Sequence, residues 1–253
     1  MLELAHASAI GFGTRRWAGA DGDERALATA LDRGCSLVDV AGPRAEQAER
    51  AVGRVLAHRL DDVAVVATTA DLDLHAIVER VRFAASRLRR DRLDVLVLDP
   101  SQLLREEPDD VLADSVVRDA FAVCEGLADR GELGCYGVRL DPSVAAADAT
   151  SLVNRWVDLA RQVRGVPRLA VAQLPCSAAQ HRGGPQDLVL AVHRAGLRAL
   201  GTEPLPVWPS AGGAPLATCQ QHLLSGVDHV VVDPLDAEQV RAVQSLLPLR
   251  AAA

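Results

Sequence analysis

The sequence lacks lysine altogether and contains a single tyrosine, Tyr136, among its 253 residues. All 27 residues of the Lys+Arg class are therefore arginine. Schiff-base chemistry is excluded, because it needs a lysine amine that can lose its proton, and no lysine can lower the pKa of a neighbouring acid. Arginine in place of lysine, together with the richness in alanine, is typical of a high-GC bacterial genome.

Long apolar runs, a basic leader and basic clusters are missing as well. No stretch reaches the roughly 18 apolar residues of a membrane span, and Met1 to Ala9 contain Glu3 without the basic start of a signal peptide. The net charge is −7 and the arginines are dispersed, which disfavours a nucleic-acid surface. We therefore expect a cytoplasmic protein with neither a membrane nor a nucleic acid as partner. The sequence does not indicate an oligomeric state.

The five cysteines show neither a CxxC motif nor paired spacing, and we expect reduced, mostly buried thiols. They are Cys35, Cys124, Cys135, Cys176 and Cys219.

Short apolar runs alternate with longer amphipathic stretches along the whole chain, a pattern typical of repeated βα units and a parallel sheet. The apolar runs do not alternate with polar residues, as expected for strands buried on both faces. Eight strands are predicted: Ala7–Phe12, Ser36–Val40, Val63–Thr68, Leu93–Leu98, Leu133–Val138, Leu169–Gln173, Leu197–Gly201 and Asp228–Val232.

Five amphipathic helices are predicted: Glu24–Arg33, Glu46–His58, Leu74–Leu88, Ser115–Arg130 and Ala237–Leu247. No linker divides the chain, so residues 1–253 are expected to form one domain. The predicted fold class is α/β, a (β/α)8 TIM barrel with short loops. An open doubly wound sheet is the competing fold, but the chain has no Gly-rich phosphate turn after the first strand.

Motifs at the predicted strand ends resemble those of the aldo-keto reductases. The opening strand reads Ile10-Gly11-Phe12-Gly13-Thr14, the second ends Leu37-Val38-Asp39-Val40-Ala41, and Glu49 precedes Val52-Gly53. Gly131–Val138, Gln173 and Pro204-Leu205 match later motifs of that family in the same order. The resemblance spans essentially the whole chain and implies the aldo-keto reductase barrel.

The resemblance also implies four catalytic positions, which in the family hold aspartate, tyrosine, lysine and histidine. Here they hold Asp39, Arg44, Thr69 and Asp99. Carbonyl reduction needs a proton donor poised near neutral pH. Arginine does not usefully lose its proton, threonine is far too weak an acid, and an aspartate is normally ionised. The family's ordinary mechanism is therefore not expected.

The family's contacts to nicotinamide are altered too. The positions that hold the carboxamide and stack on the ring read Arg139, Leu140 and Thr202, whereas Gln173 is retained. After the eighth strand, Asp233 and its acidic neighbours replace the family's basic residue and would repel a phosphate. We therefore expect no cofactor, with NADPH as the less favoured alternative.

The expected function is cofactor-independent acid/base catalysis on a small polar metabolite, as a lyase, dehydratase, isomerase or cyclase of bacterial secondary metabolism. Asp39 and Asp99 are expected to share a proton, because two close carboxylates raise one pKa. Two alternatives stay open: a non-catalytic pseudoenzyme whose site is filled by Asp39–Arg44 or Asp99–Arg139 ion pairs, and an NADPH-dependent aldo-keto reductase with an atypical proton donor. The predicted catalytic residues are Asp39, Asp99 and Arg44, and the predicted substrate-binding residues are Trp17, Thr69, Arg139, Gln173, Glu203 and Asp233; no metal site is predicted.

Overall fold

A computed structural model of the chain describes residues 4, 6–17, 21–42, 44–57, 59, 63–107, 109–141, 146–175, 185–202, 225–234 and 237–244.

Eight parallel strands close into a barrel in the order in which they occur along the chain. Parallel neighbours require a crossover, and a described helix lies in every crossover from β1 to β7; most of the connection from β7 to β8 lies outside the described residues. This closed order confirms the predicted (β/α)8 barrel and excludes the open sheet. The strands are β1 Ile10–Gly13, β2 Leu37–Val40, β3 Ala64–Thr69, β4 Leu93–Leu98, β5 Leu133–Arg139, β6 Leu169–Pro175, β7 Arg198–Thr202 and β8 His229–Val232.

Helices surround the barrel, and the described ranges contain eight of them. None of these helices is both long and apolar enough to cross a membrane. The five predicted helices are present, and three others were not predicted: those that begin at Ser101, Ala146 and Pro185. The helices are α1 Asp21–Asp32, α2 Ala45–Leu56, α3 Leu74–Leu88, α4 Ser101–Glu106, α5 Asp110–Asp129, α6 Ala146–Val163, α7 Pro185–Arg194 and α8 Ala237–Gln244.

Local capping explains where some elements begin. β1 starts at Ile10 rather than at the predicted Ala7. The backbone N–H of Ser8 donates to Ser36 Oγ at 2.8 Å and the N–H of Ser36 donates to Ser8 Oγ at 3.0 Å, so neither N–H forms a ladder bond. α5 starts earlier than predicted, because the Asp109 carboxylate accepts hydrogen bonds from the backbone of Val111 and Leu112. An aspartate at this position satisfies N–H groups that have no partner inside the helix.

The buried side chains form two clusters that the barrel wall separates. The larger one packs the strands against the helices. The smaller one contains no helix residue and fills the inside of the barrel; we call it the lumen cluster. It consists of Leu4, Leu37, Ala64, Val66, Val95, Val97, Cys135, Ala170, Val171, Leu200 and Val231.

Candidate active site

The lumen ends at a layer of mostly polar residues, one at the carboxyl end of each strand. Side chains along a strand alternate between its two faces. On most strands the residue two positions earlier belongs to the lumen cluster, so the residues of this layer also face the lumen. The carboxyl ends of the strands are where barrels of this type carry their chemistry. This layer, here called the mouth ring, consists of Gly13, Asp39, Thr68, Asp99, Arg139, Gln173, Thr202 and Asp233.

Asp39 is the most deeply buried carboxyl group of the mouth ring, with 5% of the residue exposed. Its Oδ1 atom has no hydrogen-bond partner among the described residues. Burial, and after it the charge of the neighbouring Asp233 carboxyl group, raise the pKa of Asp39 to about 7, against the opposing charges of Arg139 and Arg15. Burial disfavours the charged form, so this aspartate is poised to exchange a proton near neutral pH.

Asp233 lies beside Asp39, with only Gly13 between them. Gly13 pairs with Asp39 across β1 and β2, and a Cβ on Gly13 would overlap Oδ1 of Asp233. The backbone N–H of Arg15 donates to that oxygen at 3.1 Å. Burial raises the pKa of Asp233, whereas the Arg15 backbone hydrogen bond and the charges of Arg15 and Arg16 lower it.

Asp99, Arg139 and Gln173 form a connected row on three neighbouring strand ends. Arg139 Nε lies 3.6 Å from Asp99 Oδ2, and Arg139 Nη1 donates to Gln173 Oε1 at 3.1 Å. The other Asp99 oxygen accepts hydrogen bonds from the backbone and hydroxyl of Ser101 at the start of α4. The Asp99–Arg139 ion pair of the pseudoenzyme alternative is therefore present, while Gln173 Nε2 is buried without a partner in the described part of the chain.

The carboxyl group that the structure brings beside Asp39 is Asp233, whereas the sequence analysis expected Asp99. The carboxylate whose charge acts on Asp39 is Asp233, whereas Asp99 is engaged with Ser101 and Arg139. The sequence analysis assigned Asp233 to substrate binding only. The register of β8 and β2 on either side of β1 brings the two aspartates together, and that register depends on barrel closure.

The third strand contributes Thr68 to the mouth ring, rather than the predicted Thr69. Thr68 is in register with Val97 of the lumen cluster, whereas Thr69 is in register with Leu98 of the outer cluster. The Thr69 hydroxyl donates to the Asp71 carbonyl and accepts from the Asp71 N–H, both at 3.2 Å, in a local turn. Alternation from Val66 would have identified Thr68, and its hydroxyl is buried without a partner among the described residues.

Arg44 and Trp17 lie outside the lumen. Trp17 is 4% exposed and packs edge-on against Phe12, with ring centroids 5.9 Å apart, in the strand–helix layer. Arg44 is exposed at the residue preceding α2. Both line a groove of about 230 Å³ between α1 and α2. The charges that act on Asp39 are those of Asp233, Arg139 and Arg15, so the structure does not join Arg44 to the predicted catalytic carboxylate.

The predicted Glu203 lies outside the described residues, and the seventh strand contributes Thr202 to the mouth ring. Thr202 is buried, and its hydroxyl points toward the Leu174 carbonyl at 3.5 Å. In the ranges that the structure describes, no three His, Cys, Asp or Glu side chains are grouped as a metal site.

The only tyrosine of the chain does not reach the lumen. The Tyr136 hydroxyl donates to Glu125 Oε1 of α5 at 3.1 Å. Burial and the Glu125 carboxylate raise the pKa of Tyr136 above its ordinary value. Its ring packs on Phe121 with centroids 5.3 Å apart. Tyr136 is therefore a packing residue on the helix side of the barrel wall.

Comparison with solved structures places the chain among proteins of one fold. An aldo/keto reductase from Klebsiella pneumoniae, solved in complex with NADP and acetate, is 19% identical with a TM-score of 0.69, covering 95% of this chain and 86% of that one. The holo form of an aldo-keto reductase from Bacillus halodurans is 17% identical with a TM-score of 0.70 over 94% and 86% of the two chains. The glycerol dehydrogenase of Gluconobacter oxydans is 16% identical, again with a TM-score of 0.70 over 94% and 86%.

No protein-family model matches the chain, and no curated protein matches it significantly. The structural matches confirm the resemblance stated from the sequence at the level of the fold. They also overturn the expectation that no cofactor is used, because the Klebsiella pneumoniae structure contains NADP. That expectation rested on a few replaced side chains, and side-chain replacements do not remove the barrel mouth or the retained Gln173.

Proposed function

We propose that this chain, which has the aldo-keto reductase barrel, is an NADP(H)-dependent oxidoreductase acting on the carbonyl or alcohol group of a small polar metabolite, with Asp39 as proton donor. The observation that carries the proposal is the buried Asp39 carboxyl group at the end of β2, whose Oδ1 has no partner in the described part of the chain. A neutral carboxyl group can do what an ionised one cannot, namely donate a proton.

One residue of the mouth ring, Gln173, fits the carboxamide group of a nicotinamide. The Gln173 side chain is fully buried, its Oε1 accepts from Arg139, and its Nε2 donors have no acceptor among the described residues. A carboxamide oxygen is the kind of acceptor that such a donor needs, since a buried donor left unsatisfied costs about 1–3 kcal/mol. When bound, NADPH supplies a hydride.

The chain itself handles the proton. Reduction adds one hydride to the carbonyl carbon and one proton to the carbonyl oxygen, and Asp39 gives that proton and becomes a carboxylate. Arg139 and Arg15 carry positive charges that act on Asp39 and stabilise the carboxylate. Water returns the proton to Asp39 after the alcohol leaves. In the oxidation direction the Asp39 carboxylate takes the alcohol proton instead.

This proposal replaces the family's tyrosine–lysine acid with a carboxyl group whose pKa burial raises to about 7. A general acid works best when its pKa lies near the working pH. We therefore expect kcat/KM for reduction to fall as the pH rises through about 7, and the rate of alcohol oxidation to rise over the same interval.

The proposal is tested by NADPH and NADH titration of the protein, by fluorescence and calorimetry, and by turnover of small polar aldehydes and ketones. Asp39→Asn keeps the shape of the site but removes the proton, so it is expected to bind NADPH as the natural protein does and to lose roughly 10²- to 10⁴-fold in turnover. Tyr136→Phe is the matched control and is expected to keep full turnover, because its hydroxyl lies outside the lumen.

Two results contradict the proposal. If neither nucleotide binds, the barrel is not a nicotinamide enzyme and the alternative of a non-catalytic ligand-binding protein is favoured. If nucleotide binds and Asp39→Asn turns over at the natural rate, another group supplies the proton.

A further inference from the structure

We infer that Asp233 is the positioning residue of this site: its carboxyl group, held over Gly13, acts together with burial to keep the proton on Asp39. The catalytic meaning of this inference rests on the proposed function, but the proton placement itself does not.

Three neighbouring strand ends bring the two aspartates together. Phe12 pairs with Val232 and Gly13 pairs with Asp39, so Asp233, the residue after Val232, lies beside Gly13 on the other side. Neighbouring strands are about 4.8 Å apart, which puts the two aspartate backbones about 10 Å apart with a glycine between them. Two aspartate side chains that lean inward over a glycine can close most of that gap.

Gly13 provides the space into which Asp233 leans. A Cβ on Gly13 would overlap Asp233 Oδ1 and come within 2.9 Å of Val231 Cγ1. The Asp233 carboxyl group therefore occupies the volume that any other residue at position 13 would fill. Asp233 thus lies on the path from β8 toward Asp39.

The loop after β1 holds both aspartates. The Arg15 N–H donates to Asp233 Oδ1 at 3.1 Å, and the adjacent Thr14 N–H donates to the Asp39 carbonyl at 3.0 Å. Consecutive backbone amides of one short loop thereby fix the Asp233 carboxyl group and the Asp39 backbone relative to each other.

Burial is the main reason that Asp39 holds a proton, and the surrounding charges act in addition to it. The charged groups that act on Asp39 are Asp233 from β8, Arg139 from β5 and Arg15 from the loop after β1. The two arginines favour the carboxylate, and of these three groups only Asp233 opposes them. Asp99 is occupied by Ser101 and Arg139. Two close carboxyl groups in a buried site cannot readily both be ionised, so together they retain one proton.

The inference is tested by NMR titration of protein labelled with 13C at the aspartate carboxyl carbons. The Asp39 signal is identified by its loss in Asp39→Asn. In Asp233→Asn the midpoint of that signal is expected to fall from about 7, because the negative neighbour is gone while both arginines remain. Asp158→Asn is the matched control, since it removes a surface carboxylate that pairs only with Arg161 in the described part of the chain, and it is expected to leave the midpoint unchanged.

A second variant covers the case in which Asp233→Asn fails to fold. Asp233→Ser also removes the negative charge, so the Asp39 midpoint is expected to fall in this variant as well. If the Asp39 midpoint stays within about 0.3 pH unit of its natural value in a folded Asp233 variant, the interaction is too weak to hold a proton at neutral pH and the inference is overturned. These readouts need no turnover, so they separate this inference from the proposed function.

Turnover adds a second readout if the proposed function holds. The pH at which kcat for reduction falls is expected to move downward in Asp233→Asn, with KM little changed. A structural defect alone would lower kcat at every pH without moving the profile. A glutamate at position 233 restores the charge, so Asp233→Glu is expected to return the profile toward that of the natural protein.

Discussion

At the scale of single residues, Asp39 shows how position changes the chemistry of a common side chain. An exposed aspartate is ionised at neutral pH. In the mouth ring the same group is buried beside a second carboxyl group, and its pKa rises to about 7. The folded protein therefore binds this proton more tightly than the unfolded chain does.

This difference makes the stability of the protein depend on pH. The contribution of Asp39 is complete below the unfolded pKa near 4, and it is lost as the pH rises through about 7. Asp39→Asn removes the ionisable group, so we expect it to unfold at higher urea concentration than the natural protein at pH 8. The difference is about 4 kcal/mol and shrinks toward zero at pH 4.

Urea titrations at several pH values measure this effect. Asp158→Asn is again the control, because its exposed carboxylate is expected to change stability little at any pH. A difference between Asp39→Asn and the natural protein that does not vary with pH would show that the folded and unfolded pKa values of Asp39 are the same.

At the scale of elements, α2 and α3 are joined by a buried ion pair and by a close backbone approach. The fully buried Glu49 of α2 pairs with Arg80 and, at 3.1 Å, with Arg87 of α3. One turn later, a Cβ on Gly53 would lie 2.9 Å from the Leu88 backbone, closer than real Cβ atoms come. The missing side chain of Gly53 is thus what lets the two helices pack.

The same substitution is expected to have opposite effects in two helices. Gly53→Ala forces α2 away from the α3 backbone and should lower the free energy of unfolding by about 1–3 kcal/mol. Gly126→Ala in α5 meets only the end of the Arg130 side chain at 3.4 Å. There alanine should raise stability by about 0.5–1 kcal/mol through its better helix propensity.

Chemical denaturation of Gly53→Ala, Gly126→Ala and the natural protein measures the free energy of unfolding of each and tests these two predictions. Equal effects of the two substitutions would mean that backbone propensity, rather than the approach of α2 and α3, governs the Gly53 position.

At the scale of the whole molecule, the lumen cluster ties the strands into one cooperative unit. It draws residues from every strand except β1 and from Leu4, which is 3% exposed. Leu4 also lines a cavity of about 330 Å³ with Cys135, Ala170 and Leu197, residues near the amino-terminal ends of the strands. Leu4 therefore packs at the end of the barrel opposite the mouth ring.

Leu4→Ala is expected to lower the free energy of unfolding by about 2–4 kcal/mol, the usual cost of a large-to-small change in a core. Because strands around the whole barrel contribute to the lumen cluster, the unfolding transitions followed by tryptophan fluorescence and by circular dichroism should coincide. Leu190→Ala is the control, since Leu190 is 45% exposed on α7 and should cost under about 1 kcal/mol. Separate transitions by the two probes would show that the barrel does not unfold as a unit.

The sequence predicted the positions that are fixed by local pattern. Strands buried on both faces read as continuous apolar runs, so all eight were predicted, and the residues that follow them, such as Asp39, Arg139 and Gln173, were expected at the mouth. Exact strand ends were less accurate, because capping contacts such as Ser8 with Ser36 decide them. The sequence analysis therefore assigned Thr69 to the mouth instead of Thr68. An error of one position in a strand moves a side chain to the other face of the sheet.

The sequence by itself determined the barrel, the absence of a lysine-assisted acid and the set of polar residues at the strand ends. Only the tertiary structure decided which of them act on one another. Asp233 and Asp39 lie at opposite ends of the chain, and they meet because β8 and β2 both pair with β1 when the barrel closes. Closure also buries Asp39, and burial raises its pKa. Neither effect is local in sequence, so no pattern of neighbouring residues carries it.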